Sequence, residues 1–341
     1  MDTQPKISII ITCFNYGKYV ATAINSALAQ NGVSFEIIVV DDGSIDNSWE
    51  VISSYGNKLN SFRTENRGSI PACLYGVSKS SGEFLMFLDA DDVLYPHAVS
   101  SISQYLTDEV SKVQFALDPI GPDGKIIGLS FPSLNDSEGS DQFRRDIQRR
   151  GYYVIPPTSG NIWRRSLYEG LGDISYDFGI DGVAYLLAPY RGQVISINTA
   201  LGQYRLHGTN LSGAGSVNAQ RLRRDAHVFE KRLRHLASLL NHHNLDGSET
   251  EIHSRYLYTL QREFMADVLD QKSISFSQVT GILKRAKQEV SPIQFIPILL
   301  FITSLWTLPN KMARSIINAR INPMAYPYLR SIIRRAKRII S

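Results

Sequence analysis

The first hundred residues predict an α/β fold: a mostly parallel sheet with helices on both faces. Four strand-like segments, "ISIIIT" (7–12), "EIIVVDD" (36–42), "LNSFRTE" (59–65) and "EFLMFLDAD" (83–91), alternate with helix-like stretches. Three of the four are nearly continuous apolar runs, as expected of strands buried on both faces. A βαβαβαβ alternation folds into a parallel sheet because each crossover packs back on it with one hand.

Each helix has its own signal. Within 17–30, Val20, Ile24, Ala27 and Leu28 share a face; residues 45–55 form the second helix with Ser44 as its expected N-cap, and 69–81 the third. From 113 to 215 the pattern is mixed, with "GPDGK" (121–125) a hairpin and "PPTSGN" (156–161) a loop. From 216 the chain reads as helical. Residues 218–240 place Leu222, Val228, Phe229, Leu233, Leu236 and Leu240 near one face, and a second amphipathic stretch covers 252–269. The expected domains are therefore a sheet domain over 1–215, with a nucleotide-sugar half 1–112 and an acceptor half 113–215 in the reading given below, a helical domain over 216–290, and an apolar, basic, membrane-associating segment over 291–341.

The 341 residues are 43% hydrophobic and 20% charged, a balance that favours a globular chain over a disordered one. Cys13 and Cys73 have neither C-x-x-C nor zinc spacing, and residues 1–30 contain no secretory pattern, so a reducing cytosol is expected. The net charge of +4 conceals an asymmetry: residues 310–341 hold eight Lys or Arg and no acid, leaving −4 on the rest. Such a tail meets nucleic acid or anionic lipid. In "YLRSIIRRAKRIIS" (328–341), aliphatic residues alternate with bases at helical spacing. That describes an interfacial helix on an anionic membrane and not a nucleic-acid binder, which would want stacking aromatics. A basic helix docked on the acidic body is the alternative. The most apolar window, 292–309, has 16 residues between its outer prolines, about 24 Å of helix against a bilayer core of roughly 30 Å, so a buried helix is expected ahead of a span.

Parallel α/β sheets bind ligands beyond the carboxyl ends of their strands, which selects "TCFN" (12–15), "DDGS" (41–44) and "DADD" (89–92). No G-x-G-x-x-G follows the first strand and no G-x-x-x-x-G-K-[ST] occurs, which counts against dinucleotide oxidoreductases and P-loop enzymes. Carboxylates alone repel a nucleotide's phosphates. A divalent cation reverses this, since Mg2+ or Mn2+ takes oxygen ligands from one or two carboxylates and a diphosphate together. Asp89 and Asp91 have that D-x-D arrangement; the alternative is an Asp-rich turn, although three aspartates in four positions at the ligand edge favour the cation. Of Asp41 and Asp42, one is explained by the turn and the other is available to a ligand. Phe14, beside Thr12 and Asn15, stands where a ring can stack on a base.

Together the segments "ISIIITCFNYGKYVATAINSALAQ", "EIIVVDDGSIDNS", "ENRGSIPACLYGVSKSSGEFLMFLDADD" and "YRLHGTNLS" resemble the inverting family-two glycosyltransferases of GT-A fold, over roughly residues 5–215. The resemblance implies that Thr12 and Phe14 line the base pocket, that Asp42 accepts a hydrogen bond from the base, usually uracil, that Asp89 lies near the ribose, and that Asp91 binds the metal. Asp92 is supporting. The base of an in-line displacement takes the acceptor's proton; in "DFGIDGVAYLLAPYRGQV" (177–194) the resemblance assigns it to Asp181, with Asp177 second because Ile180 replaces the usual glutamate. Capping the following helix explains Asp181 equally well. By the same resemblance His207 meets the metal or diphosphate, Arg205 neutralises phosphate, and "SGNIWRRS" (159–166) forms an acceptor-side strand, although Trp163 is expected in the core. Cys73 stands where the family often has a diphosphate-binding arginine, a place Arg67 is the candidate to fill.

The expected activity is metal-dependent, inverting transfer of one sugar from a nucleotide-sugar, a UDP-sugar, to a glycan or lipid-linked acceptor at the cytoplasmic face of the cell membrane, in cell-surface polysaccharide synthesis. A sugar nucleotidyltransferase would want a glycine-rich basic loop after the first strand, and a non-catalytic membrane scaffold would have no need of Asp42, Asp89, Asp91 and Asp181 together. The Q-x-x-R-W motif of processive synthases is absent.

Overall fold

The computed structural model describes residues 7–207, 217–242 and 256–321. In chain order it begins β1 (Ile7–Cys13), α1 (Val20–Leu28), β2 (Phe35–Asp41), α2 (Ser48–Ser53), β3 (Asn60–Arg63), α3 (Ser69–Ser78), β4 (Phe84–Asp89), β5 (Val93–Leu94) and α4 (Ala98–Ser103). It continues β6 (Val110–Ile120), α5 (Ser140–Arg150), β7 (Asn161–Arg164), α6 (Gly182–Arg191) and β8 (Gln193–Arg205). The eight strands form one sheet in the order β3-β2-β1-β4-β7-β6-β8-β5.

The expected alternation is present, and it fixes where a ligand edge arises. β1 is parallel to both β2 and β4, and β3 is parallel to β2. The chain thus steps outward from β1 to β3, then crosses back to β4 on the other side, so strand order reverses between β1 and β4. In register, Thr12 stands opposite Asp89 and Cys13 opposite Asp41. These strands are apolar throughout because helices cover both faces: Ile9, Ile10, Ile11, Val39, Val40, Met86 and Leu88 are all buried. The remaining half is mixed, with β7 antiparallel to β4 and β6, β8 parallel to β6, and β5 antiparallel to β8. The expected hairpin closes through Gly121 N–H to Lys125 O at 2.8 Å, with Gly124 at φ +80 supplying the left-handed residue it needs.

Ser44 does not cap the second helix. α2 begins at Ser48, where the Asp46 carboxylate accepts the Ser48 N–H at 2.9 Å. The Ser44 hydroxyl instead accepts from the Asn15 N–H at 2.9 Å, so it joins two strand-end loops.

Two compact units are formed. Within the described residues the first comprises 7–147, 152–207 and 235–242, and the second 148–151, 217–234 and 256–321. α7 (Ala219–His242) follows the sheet in sequence, and the six apolar residues expected along it are buried. The second unit also holds α8 (Leu257–Leu269), α9 (Phe276–Glu289), α10 (Pro292–Thr307) and α11 (Asn310–Ile321). Capping boxes start α9, with Ser275 and Gln278, and α10, with Ser291 and Gln294. Leu222, Phe264, Met265, Ile282, Ala286, Ile302 and Ile317 form its core. Buried Glu289 fastens the end of α9 to the start of α8, accepting from the Leu257 N–H at 2.8 Å and from Arg285 Nε at 2.5 Å. Among the described residues no helix is long and apolar enough to cross a membrane. The basic stretch 328–341 and residues 208–212 of "YRLHGTNLS" lie outside the described residues.

Candidate active site

The loop after β1 is bolted to the loop after β2. Asn15 adopts φ 59, a left-handed conformation that asparagine tolerates. Its side-chain oxygen accepts the Ile45 N–H at 2.8 Å, while Tyr16 N–H donates to Ser48 Oγ at 3.0 Å and Gly17 N–H to Asp46 Oδ2 at 3.0 Å. Asn15 thereby shapes the turn that leaves the Phe14 ring 41% exposed at the sheet edge. Thr12 Oγ1 lies 3.9 Å from Cys73 Sγ; Cys73 is buried, its thiol pushed up by that burial.

Asp41 is the turn-satisfied member of its pair. Fully buried, it accepts from Arg63 Nε at 3.1 Å and from the Ser44 N–H at 3.3 Å. Asp42 reaches the other way, its two oxygens accepting from the Arg67 and Gly68 N–H groups at 3.0 and 2.9 Å. That fork holds the chain at the entrance to α3, where Gly68 takes φ +96. Arg67 joins the site by its backbone; its guanidinium is exposed beside Glu65 at 3.8 Å.

The end of β4 carries the acid cluster. Asp92 Oδ2 accepts from Ser159 Oγ at 2.6 Å and its Oδ1 from the Arg205 N–H at 2.8 Å; Ser159 Oγ in turn accepts the Asp89 N–H at 3.1 Å. Asp92 is thus a clasp joining the ends of β4 and β8 to the turn before β7. Asp89 is held by the same serine and feels its neighbours: burial first, then the Asp91 and Asp181 charges, push its carboxyl up to about 7. Asp91 Oδ2 meets His207 Nε2 at 2.8 Å.

Asp181 immediately precedes α6 but makes no side-chain cap to it; its Oδ2 accepts from Thr158 Oγ1 at 2.7 Å. Helix capping therefore does not explain this residue, and the charge it places on Asp89 brings it into the cluster. Asp177 is turned to its own loop, accepting the Phe178 N–H at 2.6 Å. It packs so closely on Gly182 that a Cβ there would lie 1.9 Å from Asp177 Oδ2. Trp163 is fully buried, as expected of core.

Three residues of this site went unassigned at the level of sequence, although each was visible. Tyr19 stacks on the His207 ring with centroids 5.4 Å apart, and Tyr16 meets that ring edge-on at 5.8 Å. The Arg205 guanidinium lies over Tyr19 at 4.9 Å. The signal was the Tyr-x-x-Tyr spacing in "NYGKY" directly behind Phe14. The third is Thr158, in the loop "PPTSGN".

The donor set fits a hard divalent cation. Asp89, Asp91, Asp92 and Asp181 share one electrostatic field, while Arg205 spends Nε on Asp91 O at 2.7 Å and Nη1 on Gly121 O at 3.2 Å, both carbonyls. Burial first, then the Asp89 and Asp91 charges, push the Asp92 carboxyl well above the carboxylate range, a repulsion that a cation bound among these oxygens would relieve. Among the described residues no group of three or more His, Cys, Asp or Glu side chains converges to hold a metal ion. A separate cleft of about 860 Å³, lined by Glu138, Asp141, Arg145 and Gln193 among others, opens at the start of β8, the end remote from Arg205.

Ser159→Ala tests the clasp. It leaves the buried Asp92 oxygen and Asp89 N–H without their partner, at a cost of about 1–3 kcal/mol. Urea unfolding is expected to show a lower midpoint at unchanged slope, and an unchanged midpoint would remove the clasp from the account.

A model of glycosyl transferase family 2 matches residues 8–171. An uncharacterised glycosyltransferase of Nostoc sp. (strain PCC 7120) is 33% identical over 236 residues, 65% of this chain and 72% of that protein. Among solved structures, S. aureus TarS 1–349 in complex with UDP-GlcNAc aligns at TM-score 0.53 and 15% identity, covering 92% of this chain and 91% of that one. Mannosyltransferase PcManGT from Pyrobaculum calidifontis, in complex with GDP-Man and Mn2+, aligns at TM-score 0.50 and 13% identity, covering 93% and 88%. At these identities the structural likeness is one of fold, the α/β GT-A fold with a helical C-terminal part. With the family model, the Nostoc relative and the architecture in agreement, the chain belongs to glycosyltransferase family 2.

Proposed function

We propose that this glycosyltransferase moves a single sugar, with inversion, from a UDP-sugar to a glycan or lipid-linked acceptor in cell-surface polysaccharide synthesis. Residues 1–215 serve as its catalytic domain, and the basic C-terminus holds it to the cytoplasmic face of the membrane. The observation that carries the reading is the crowding of Asp89, Asp91 and Asp181 in one field at the β1/β4 switch point. Such crowding suits two jobs at once. Asp91, with Asp89 beside it, would hold Mn2+ or Mg2+, whose charge when bound stabilises a departing diphosphate. Asp181 takes the proton of the acceptor hydroxyl as that oxygen attacks the anomeric carbon from the opposite face. Thr158 holds one Asp181 oxygen at 2.7 Å, which fixes the orientation of the carboxylate. Phe14 and Thr12 contact the base, and Asp42 orders the loop at the start of α3 beside them. Arg205 and His207, braced on Tyr19 and Tyr16, face the diphosphate. Neighbours of this fold solved with UDP-GlcNAc and with GDP-Man and Mn2+ support a nucleotide-sugar donor.

The test is a panel of UDP-sugars and GDP-mannose incubated with the purified protein, in Mn2+ and in EDTA. Hydrolysis of a UDP-sugar that EDTA abolishes is expected, with the released sugar of opposite anomeric configuration by proton NMR. Hydrolysis of GDP-mannose alone rejects the UDP assignment, release that survives EDTA rejects the metal, and a retained configuration rejects inversion.

A further inference from the structure

α10 carries large apolar side chains on two opposite faces and no charge, yet one of those faces is uncovered. Ile298, Phe301, Ile302 and Leu305 are buried in the helical unit, while Ile293, Ile296 and Leu300 are 57%, 57% and 61% exposed. Their spacing of three and four residues sets them on one face, opposite the buried one. A helix apolar on opposite faces ordinarily lies in a protein core or in lipid, and residues 292–309 contain no charged side chain.

The hydroxyls on that face are also prepared for a poorly hydrated place. Thr303 Oγ1 donates to Leu299 O at 2.8 Å, Ser304 Oγ to Leu300 O at 2.6 Å, and Thr307 Oγ1 to Thr303 O at 2.9 Å. A hydroxyl already bonded to its own helix costs less to remove from water.

Charge selects the occupant. Glu289 is the last acid of the chain, and residues 290–341 carry eight Lys or Arg and no acid. Lys311, Met312 and Arg314 stand exposed in α11, directly behind α10. A second copy would bring like charge against like charge, whereas an anionic lipid surface offers both apolar depth and opposite charge.

We infer that the outward face of α10, centred on Ile296 and Leu300, is a lipid-docking surface that lies in the plane of an anionic membrane. At 16 residues the helix is about 24 Å long, too short to span the roughly 30 Å core, so it seats at the headgroup boundary. This goes beyond the proposed tail anchor at 328–341 and does not depend on it.

The experiment is flotation of the full-length protein with vesicles of phosphatidylcholine and phosphatidylglycerol. Ile296→Glu/Leu300→Glu is expected to lower the partition coefficient by at least about tenfold, and Ile296→Ser/Leu300→Ser by less, with the far-ultraviolet circular dichroism of both unchanged. Because Cys13 and Cys73 are buried, a nitroxide on Leu300→Cys labels one place, and it should become accessible to oxygen and shielded from a polar relaxant once vesicles are added. Wild-type partition by both double variants, or a nitroxide still open to the polar relaxant on vesicles, overturns the inference. Deletion of 328–341 that abolishes flotation, while the glutamate variant floats as wild type does, keeps the tail anchor and rejects the α10 surface. A wild-type dimer that the glutamate variant dissociates assigns the face to a second copy and overturns it too.

Discussion

Asp181→Asn is expected to leave UDP binding within about twofold of wild type and to lower turnover by about 10²–10⁴-fold, the usual worth of a positioned general base. Asparagine keeps an oxygen for the Thr158 hydroxyl, which reaches Asp181 Oδ2 at 2.7 Å, so the loop before α6 has no reason to move. Only the proton-accepting power is lost. Isothermal titration with UDP and Mn2+ separates the two effects from a folding defect, and single-turnover transfer reads the chemical step. Asp177→Asn is the comparison. Its Oδ1 accepts the Phe178 N–H at 2.6 Å, a bond the amide oxygen also makes, so turnover should stay within about threefold. If Asp181→Asn turns over normally while Asp177→Asn does not, the base assignment passes to Asp177.

The parallel half of the sheet was legible because its physics is local. Nearly continuous apolar runs such as Ile7–Ile11 and Phe84–Leu88 are buried on both faces, and recognisable helices separate the four strands. β6 and β8 were illegible for a physical reason. Polar residues interrupt them, and their bonding includes partners distant in sequence: buried Gln114 of β6 donates to Ser196 Oγ of β8, 82 residues on, at 3.0 Å. Nothing in a single segment announces such a pairing. The same contrast runs through the site. Asp89 and Asp91 stood out because they end an apolar strand, whereas the clasp of Asp92 on Ser159 and Arg205 spans 67 and 113 residues. Ser44 shows the cost of a purely local argument, since its hydroxyl serves a residue 29 positions away and no helix. Asp42 was legible as a strand-end carboxylate but not as the partner of the Arg67 and Gly68 amides, a bond that no pattern of residue types encodes.

Asp91→Ala is expected to remove the cation dependence of donor binding altogether. In the wild type Mn2+ should strengthen UDP binding; in the variant, affinity with Mn2+ should fall to the value measured in EDTA, and turnover should drop roughly 100-fold or more, since the cation is worth several kcal/mol to the leaving diphosphate. The variant should nevertheless fold as stably as the wild type in EDTA. Asp91 is one of the charges that push the Asp89 carboxyl up, so its removal relieves repulsion in a buried cluster, while the clasp through Asp92, Ser159 and Arg205 does not involve its side chain. His207 loses its 2.8 Å partner but keeps its stacking on Tyr19. Thermal unfolding in EDTA therefore discriminates two roles. A melting temperature equal to or above that of wild type, joined to lost Mn2+ dependence, marks a residue kept for the cation at some expense to the fold. A lowered melting temperature with Mn2+ dependence intact would make Asp91 a structural partner of His207, and the ligand for the diphosphate's cation would then have to be sought at Asp89.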